Sequence, residues 1–419
     1  MIRFPATTLP GLAFLLFHPL PLQAGEEPQW RVNGYATLGI SHDNSEKAAF
    51  IRDLSQRPQN HVETDTSART DTRFGLQASF SFNPEVELVG QVVLRDQADH
   101  HWLRYLDLAF LKWRPLPAFE TRLGRVGYDI FLMSDHRNLG YAYPWVRPPT
   151  EFYGWIPMYA VDGFDARYTV DDWRLTFQAG HGALGFTMGR DSVYPFHSNR
   201  VFSLILSREN GPWRLQAGTS HIIPENDPAP LEPLLAGLGA VSSANPPGIG
   251  AEARELARQM RYGGTHVHYT TLGASYDEGN WFLQGELGRI DTSADMVSNG
   301  DMGYLGAGYR FGSWMPFLLF SAIRPHGDLY QGQTDWSRIG LADLQTTALL
   351  TLNSTRFDQE TTSVGLRWDI TSRLALKFQL DSIHIHPYGY GLWYSQPTVA
   401  ERERPLRVNL LSATMDFVF

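Results

Sequence analysis

The chain contains no cysteine, so it has no disulfide framework, no thiolate metal site and no cysteine nucleophile. Lysine is nearly absent and occurs only at Lys47, Lys112 and Lys377, so almost all positive charge is arginine. That balance places planar, permanently charged donors along the chain. No uninterrupted apolar run reaches the roughly 18 residues that a transmembrane helix needs. The formal charge of −9 is wrong for a nucleic-acid binder. No G-x-S-x-G, H-E-x-x-H, P-loop or dinucleotide fingerprint occurs, and the expectation is a protein without enzymatic activity or cofactor.

What the chain has is alternation. In "RFGLQASFSFN", Phe74, Leu76, Ala78, Phe80 and Phe82 share one side of a strand, opposite Arg73, Gly75, Gln77, Ser79 and Ser81. The same period recurs in "DWRLTFQAG", "SVGLRWDI", "RLALKFQLD" and the terminal "SATMDFVF". Sixteen candidate strands follow: 30–41, 71–83, 85–95, 103–114, 118–126, 159–170, 172–180, 200–208, 212–221, 265–277, 280–290, 302–311, 313–324, 357–369, 372–384 and 405–419. A soluble sandwich and a lipid-facing barrel share this alternation. The connections separate them, because short Gly, Pro, Asp and Asn turns alternate strictly with long segments. In an up-and-down barrel, every second connection lies at the same end. The reading is an all-β transmembrane antiparallel barrel with short turns at one end and long loops at the other. Aromatics cluster near the short turns and the terminus (Phe82, Trp113, Phe119, Trp173, Trp213, Trp281, Phe311, Trp314, Phe417 and Phe419), as an interfacial girdle requires. Residues 1–24 read as a secretory signal, with Arg3, the apolar "LPGLAFLLFHPLPLQA" and cleavage after Ala24; the other reading is an unstructured arm. Residues 25–419 then form one barrel domain.

Three segments in order resemble the Gram-negative porins, the sixteen-stranded trimeric diffusion channels. "TRFGLQASFSFN" (72–83) resembles the second strand of that family, "LGRVGYD" (123–129) the strand end before the third loop, and "PTEFYG" (149–154) a segment on that loop. "MDFVF" resembles the terminal assembly signal. The resemblance implies an outer-membrane location, lipid and lipopolysaccharide as surroundings, a homotrimer, and a third loop (127–158) folded inward as a constriction. It implies that Glu151 on the loop faces Arg73 on the wall across a water-filled gap. The chain departs from the family at Arg147, where a second acid is common. It departs again at Tyr105, with Arg104 beside it, where an inward arginine is common. A third departure is a second loop (96–102) too short for the usual subunit latch.

By parity Arg31, Arg73, Arg95, Asp107, Arg122, Arg174, Arg367 and Asp381 point inward. With Asp135, Arg147 and Glu151 of the inner loop, Arg31, Arg73, Arg95, Asp107, Arg122 and Arg174 form the expected constriction. The loop also holds Asp129, Arg137, Tyr141, Tyr143, Trp145 and Trp155, which either pack against the wall or present a stacking surface to sugars. Packing is the preferred reading, because an inward loop needs a small core of its own. His100–His101, His266-x-His268 and His384-x-His386 are two-ligand patterns with no acidic partner evident in sequence, so no metal is expected. Ala251–Met260 is the one convincing helix, inside the long loop 222–264. The functional expectation is a passive water-filled channel for small hydrophilic solutes and ions. The alternatives are an anion- or sugar-selective channel, or, in another class, an outer-membrane hydrolase or adhesion barrel.

Overall fold

A computed structural model describes residues 28–419, apart from 47, 57–65, 99–100, 156–157, 188–192, 390–391 and 396–401. The signal-sequence reading and His100 lie outside the described residues. Sixteen long strands form the barrel: β1 (Gln29–Asp43), β2 (Arg73–Asn83), β3 (Val86–Arg95), β4 (Leu106–Leu116), β5 (Phe119–Gly127), β6 (Ala160–Val170), β7 (Trp173–Thr187), β8 (Val193–Asn210), β9 (Trp213–Pro224), β10 (Val267–Glu278), β11 (Trp281–Thr292), β12 (Gly300–Tyr309), β13 (Trp314–Pro325), β14 (Gln359–Thr371), β15 (Leu374–Ile385) and β16 (Leu406–Val418). Each pairs antiparallel with the next, and β1 pairs with β16 from Tyr35↔Val418 to Asp43↔Leu410, so the sheet has no free edge. Thr66–Ser67 adds a short pairing onto β1, and Ala48–Phe50 pairs with Trp393–Ser395, with Ala48, Phe50 and Trp393 packed on the inward residues Ile383, Ile385, Val408 and Leu410.

The short turns use left-handed backbone where the sequence offers Gly or Asp: Asp171, Gly211, Gly279 and Gly312 all have φ between 50° and 62°. The alternation sorts the two faces. Outward positions such as Leu38, Leu94, Leu123, Leu287, Leu305 and Leu411 are exposed, whereas inward ones such as Thr37, Ser79, Thr176, Gln284 and Ser412 are buried. An exposed apolar belt of this extent is compatible only with lipid. The girdle residues Phe82, Trp113, Trp173, Trp213, Trp281, Phe311 and Trp314 sit exposed beside the short turns. Phe419 extends the closing seam: it exchanges backbone hydrogen bonds with Gly34 at 2.8 and 2.9 Å and stacks near Phe74. Gly34 has no side chain because the Phe419 ring occupies that space. Leu305, 66% exposed at the middle of β12, should lie near the bilayer centre. Leu305→Arg is expected to lower unfolding free energy in lipid vesicles by about 2–4 kcal/mol, read by urea titration of tryptophan fluorescence.

Several boundaries differ from the sequence reading. The expected long loop at 181–199 is largely strand: β7 runs to Thr187 and β8 begins at Val193, with a register shift between Phe196 and Asn199. Tyr105 does not lie on the fourth strand. It closes a one-turn 3-10 helix at Trp102–Arg104, and its carbonyl accepts from Val93 N–H. Among the described residues, the outer loops hold three α-helices of eleven or more residues rather than one: α2 (Glu232–Ala244), α3 (Ile249–Gln259) and α4 (Ala342–Leu352). α2 carries Gly237, Gly239, Ser242 and Ser243, and α4 is threonine-rich, so neither advertises itself by propensity. Packing supplies what propensity lacks, with Leu238, Val241, Ala253, Leu256, Trp336, Ala348 and Leu352 buried together.

Glu252 of α3 ties these loops together. Its carboxylate accepts from Gln333 N–H (2.8 Å), Thr334 N–H (2.9 Å), the Thr334 hydroxyl, Trp336 Nε1 (3.1 Å) and Gln345 Nε2 (3.0 Å). Burial pushes its pKa up, but these donors outweigh it and hold the carboxyl below the ordinary glutamate value. A lowered folded pKa contributes stability above the unfolded value, and that stability is lost as pH falls through the folded one. The clasp should therefore loosen only in acid, below the usual value of about 4.3. Hydrogen exchange at the Gln333 and Thr334 amides should accelerate there, and Glu252→Gln should abolish that pH dependence.

Candidate functional site

The segment from Tyr128 to Tyr159, between β5 and β6, is rich in proline, arginine and aromatics, and its described residues hold one 3-10 turn (Gly140–Ala142) and one α-helical turn, α1 (Thr150–Tyr153). A buried segment with so little internal pairing needs external partners for its backbone. The barrel wall supplies them. Lys377 Nζ donates to the carbonyls of Gly140 (2.5 Å) and Trp145 (2.9 Å), and Arg367 Nη1 to those of Tyr141 (2.7 Å) and Tyr143 (3.0 Å). Gln216 Nε2 donates to Asp129 and Ile130 carbonyls, both at 3.1 Å, and Thr271 to Ile130 at 3.0 Å. In the other direction, Val146 N–H donates to Gln379 Oε1 at 2.9 Å and Leu132 N–H to Glu286 Oε2 at 2.8 Å.

Two further sets of contacts hold the loop. On the β11–β13 side, fully buried Trp145 packs edge-on against Phe282 and Phe317 at 5.7 and 6.2 Å, and Phe152 against Tyr304 at 5.4 Å. Gly306 stands under the Trp145 ring, where a Cβ would overlap it. On the β14–β16 side, Arg147 is held by Asp71 (3.0 and 2.7 Å), Asp381 (3.0 Å) and the Ser412 hydroxyl (2.5 Å). The buried Lys377–Asp416 pair lies nearby at 3.2 Å, with the Thr37 hydroxyl donating to Asp416 at 2.6 Å.

Arg73 and Glu151 do not face each other across an open gap, since they are 2% and 1% exposed. Arg73 donates to the Tyr143 hydroxyl at 2.8 Å. Glu151 accepts from Ser321 and Gln359, both at 2.5 Å, and from Thr361. Arg147 is likewise a buried tie to the wall rather than a lumen charge. Arg95 bonds Asn138 at 3.3 Å, meets Asp107 at 3.5 Å, and sits 3.6 Å over the Tyr159 ring. Asp107 also accepts from Asn138 at 3.2 Å. Arg122 is bidentate to Asp165 and reaches Asp129 at 2.9 Å. Arg31 (with Glu87 at 3.0 Å), Asp135 (with His136 at 2.5 Å and Arg214 at 3.7 Å) and Arg174 lie lower, in a wetter vestibule toward the short turns. Among the described residues Arg174 makes no side-chain hydrogen bond or ion pair. The aromatic loop residues pack rather than present a free surface: Tyr143, Trp145 and Phe152 are buried, and Trp155 meets Tyr269 and Phe357.

The loop thus bonds to or packs on the wall from β1 round to β7 and from β9 round to β16. Every barrel strand holds an inward side chain less than 10% exposed, from Thr37 and Arg73 through Phe110, Asp165 and Gln178 to Ser203, Glu286, Lys377 and Asp416. In this conformation the loop narrows the waist from nearly every side. Parity points Asp381 inward, and Lys377 stands on the same face of β15. Their pairing with loop residues was not legible. Asp71 and Glu286 gave no signal, because their partners Arg147 and Tyr153 are far away in sequence.

No family model and no curated protein matches the chain. Solved structures do match in fold. An anion-selective porin from Comamonas acidovorans is 13% identical, with 94% of this chain and 100% of that chain covered and a TM-score of 0.54. OmpF of Salmonella typhi, in complex with daunomycin, is 11% identical over 93% of this chain and 97% of that one, also with a TM-score of 0.54. OmpT, an outer membrane protein of Vibrio cholerae solved in a trimer form, is 10% identical over 94% and 100%, with a TM-score of 0.51.

Proposed function

We propose that this chain, which has the sixteen-stranded porin fold, is an outer-membrane channel through which small hydrophilic solutes and ions diffuse, with the inner loop closing its waist in the conformation described. The closed barrel, with lipid-facing side chains outside and charges within, supports this reading, since sixteen strands enclose a lumen wider than their own side chains fill. The observation that carries the closing role is the loop's contact with nearly the whole circumference of the wall. Conduction then requires the loop to shift, and no energy input or covalent step enters. Assembly as a homotrimer is supported by the trimer form of the Vibrio cholerae protein of the same fold, and the exposed apolar belt supports lipid as its surroundings.

A preference for anions is the finer reading, favoured by Arg174 in the vestibule, which has no ion-pair partner within bonding distance among the described residues. Planar-bilayer recording tests both. Purified protein should give small, infrequent conductance steps, and a complete lack of steps would end the channel reading. Under a salt gradient, Arg174→Glu should move the reversal potential toward cation selectivity; an unchanged potential would remove Arg174 from the path.

A further inference from the structure

The β14–β15 hairpin carries a feature unrelated to the lumen. Counting from the turn, Glu360 on β14 stands directly opposite His384 on β15. His386 lies two residues further along the same face. Outward parity places all three on the barrel exterior, at the long-loop end and beyond the apolar positions Phe378 and Leu380. The sequence shows the His-x-His pair with no acid beside it, and the strand register supplies one.

One donor atom from each of Glu360, His384 and His386 can be chosen so that all three lie within 4.8 Å of one another. His384 Nδ1 is 3.7 Å from Glu360 Oε1, and His386 Nε2 is 4.0 Å from Glu360 Oε2. The two imidazoles stack at 4.5 Å with 23° between their planes. Their Nε2 atoms are shielded from water and have no hydrogen-bond partner among the described residues. The backbone at the site is held, because His386 N–H donates to Asp358 O at 2.9 Å and Gly389 N–H to His386 O at 2.9 Å.

We infer that Glu360, His384 and His386 form a binding site for a divalent transition-metal ion of the zinc class, held by two imidazoles and one carboxylate. Donors at 2.0–2.2 Å from a tetrahedral ion stand about 3.4 Å apart, so small side-chain rotations close the set. The fourth position remains for water. Nitrogen and carboxylate donors suit Zn²⁺, Co²⁺, Ni²⁺ and Cu²⁺ and disfavour the all-oxygen preference of Ca²⁺ or Mg²⁺.

Arg324 on β13 competes for the same carboxylate, since one guanidinium nitrogen bonds Glu360 while the other bonds Asp358 at 2.9 Å. An arriving cation displaces Arg324 from Glu360, and Asp358 retains it. This arrangement gives the site a signature that scattered surface histidines lack: removing a charged neighbour should improve binding. A second histidine group, His221, His266 and His268, serves as the internal control. Its ring nitrogens face one another at 2.8 and 3.2 Å, with no carboxylate against those rings among the described residues.

The test uses the full-length barrel in detergent, stripped of metal and titrated with Zn²⁺ against a chromogenic chelator, with Co²⁺ absorption as a second readout. One ion per chain is expected, and the triple variant H221Q/H266Q/H268Q should keep it. His384→Gln or His386→Gln should weaken binding by at least about tenfold and remove the Co²⁺ bands, whereas Arg324→Gln should tighten it by roughly tenfold, the range for changes next to a ligand shell. Wild-type affinity in H384Q/H386Q, loss of binding in the triple variant alone, no binding by the native protein, or weaker binding in R324Q would each overturn the assignment. Heat-modifiable migration on gels verifies that each variant is folded, and the R324Q arm does not depend on the histidine variants folding.

Discussion

Arg147→Ala should release the inner loop from the β14–β16 wall and raise single-channel conductance several-fold. The guanidinium is 3% exposed, and three side chains far apart in sequence converge on it, Asp71, Asp381 and Ser412. Removing one member of a buried ion network leaves the others charged and unpaired, at a cost of about 3–5 kcal/mol. Because the barrel closes through its own backbone ladder, that loss should fall mainly on the docking of the loop. Planar-bilayer recording should show larger, noisier steps, and limited proteolysis should newly cut within residues 130–150. The network also predicts a reversal. The triple variant R147M/D71N/D381N removes all three charges together and should be more stable than R147A alone. Conductance unchanged in R147A would separate the arginine from the closure of the waist.

Trp145→Ala addresses the apolar half of the same loop and should have an effect of similar size. The ring is wholly buried between Phe282, Phe317 and the surface left open by Gly306. Truncating a buried tryptophan costs about 3–5 kcal/mol through lost transfer energy and the cavity left behind. Loop detachment should again appear as higher conductance, this time without a change in ion selectivity, since no charge is removed. Gly306→Leu should reproduce the effect from the wall side by occupying the space of the ring. If W145A and G306L conduct like the native protein, the apolar anchor does not control the waist.

The barrel was legible because its signals are local. Period-two alternation places Leu305 outward and Thr37 inward whatever lies elsewhere in the chain, and the turns at Asp171, Gly211, Gly279 and Gly312 declare themselves by residue type. Inward parity for Arg73, Arg95, Arg122 and Asp381 followed from the same rule. Glu360 lies beside His384 by a register that the short Thr371–Ser372 turn fixes locally. α2 and α4 were not legible, since weak propensity is overridden there by packing that only the assembled loops provide.

Sequence alone determined that this chain makes strands with one oily and one polar face, in hairpins whose short turns all fall at one end. Those outcomes depend on residues within a few positions of one another. Tertiary structure decided what fills the ring. Whether Arg73 meets open water or Tyr143, and whether Arg147 stands in the path or between Asp71 and Asp381, depends on where an inward loop lands on a wall built from residues up to hundreds of positions away. Buried charge and backbone polar groups must find partners wherever the fold brings them, and no local pattern encodes that choice.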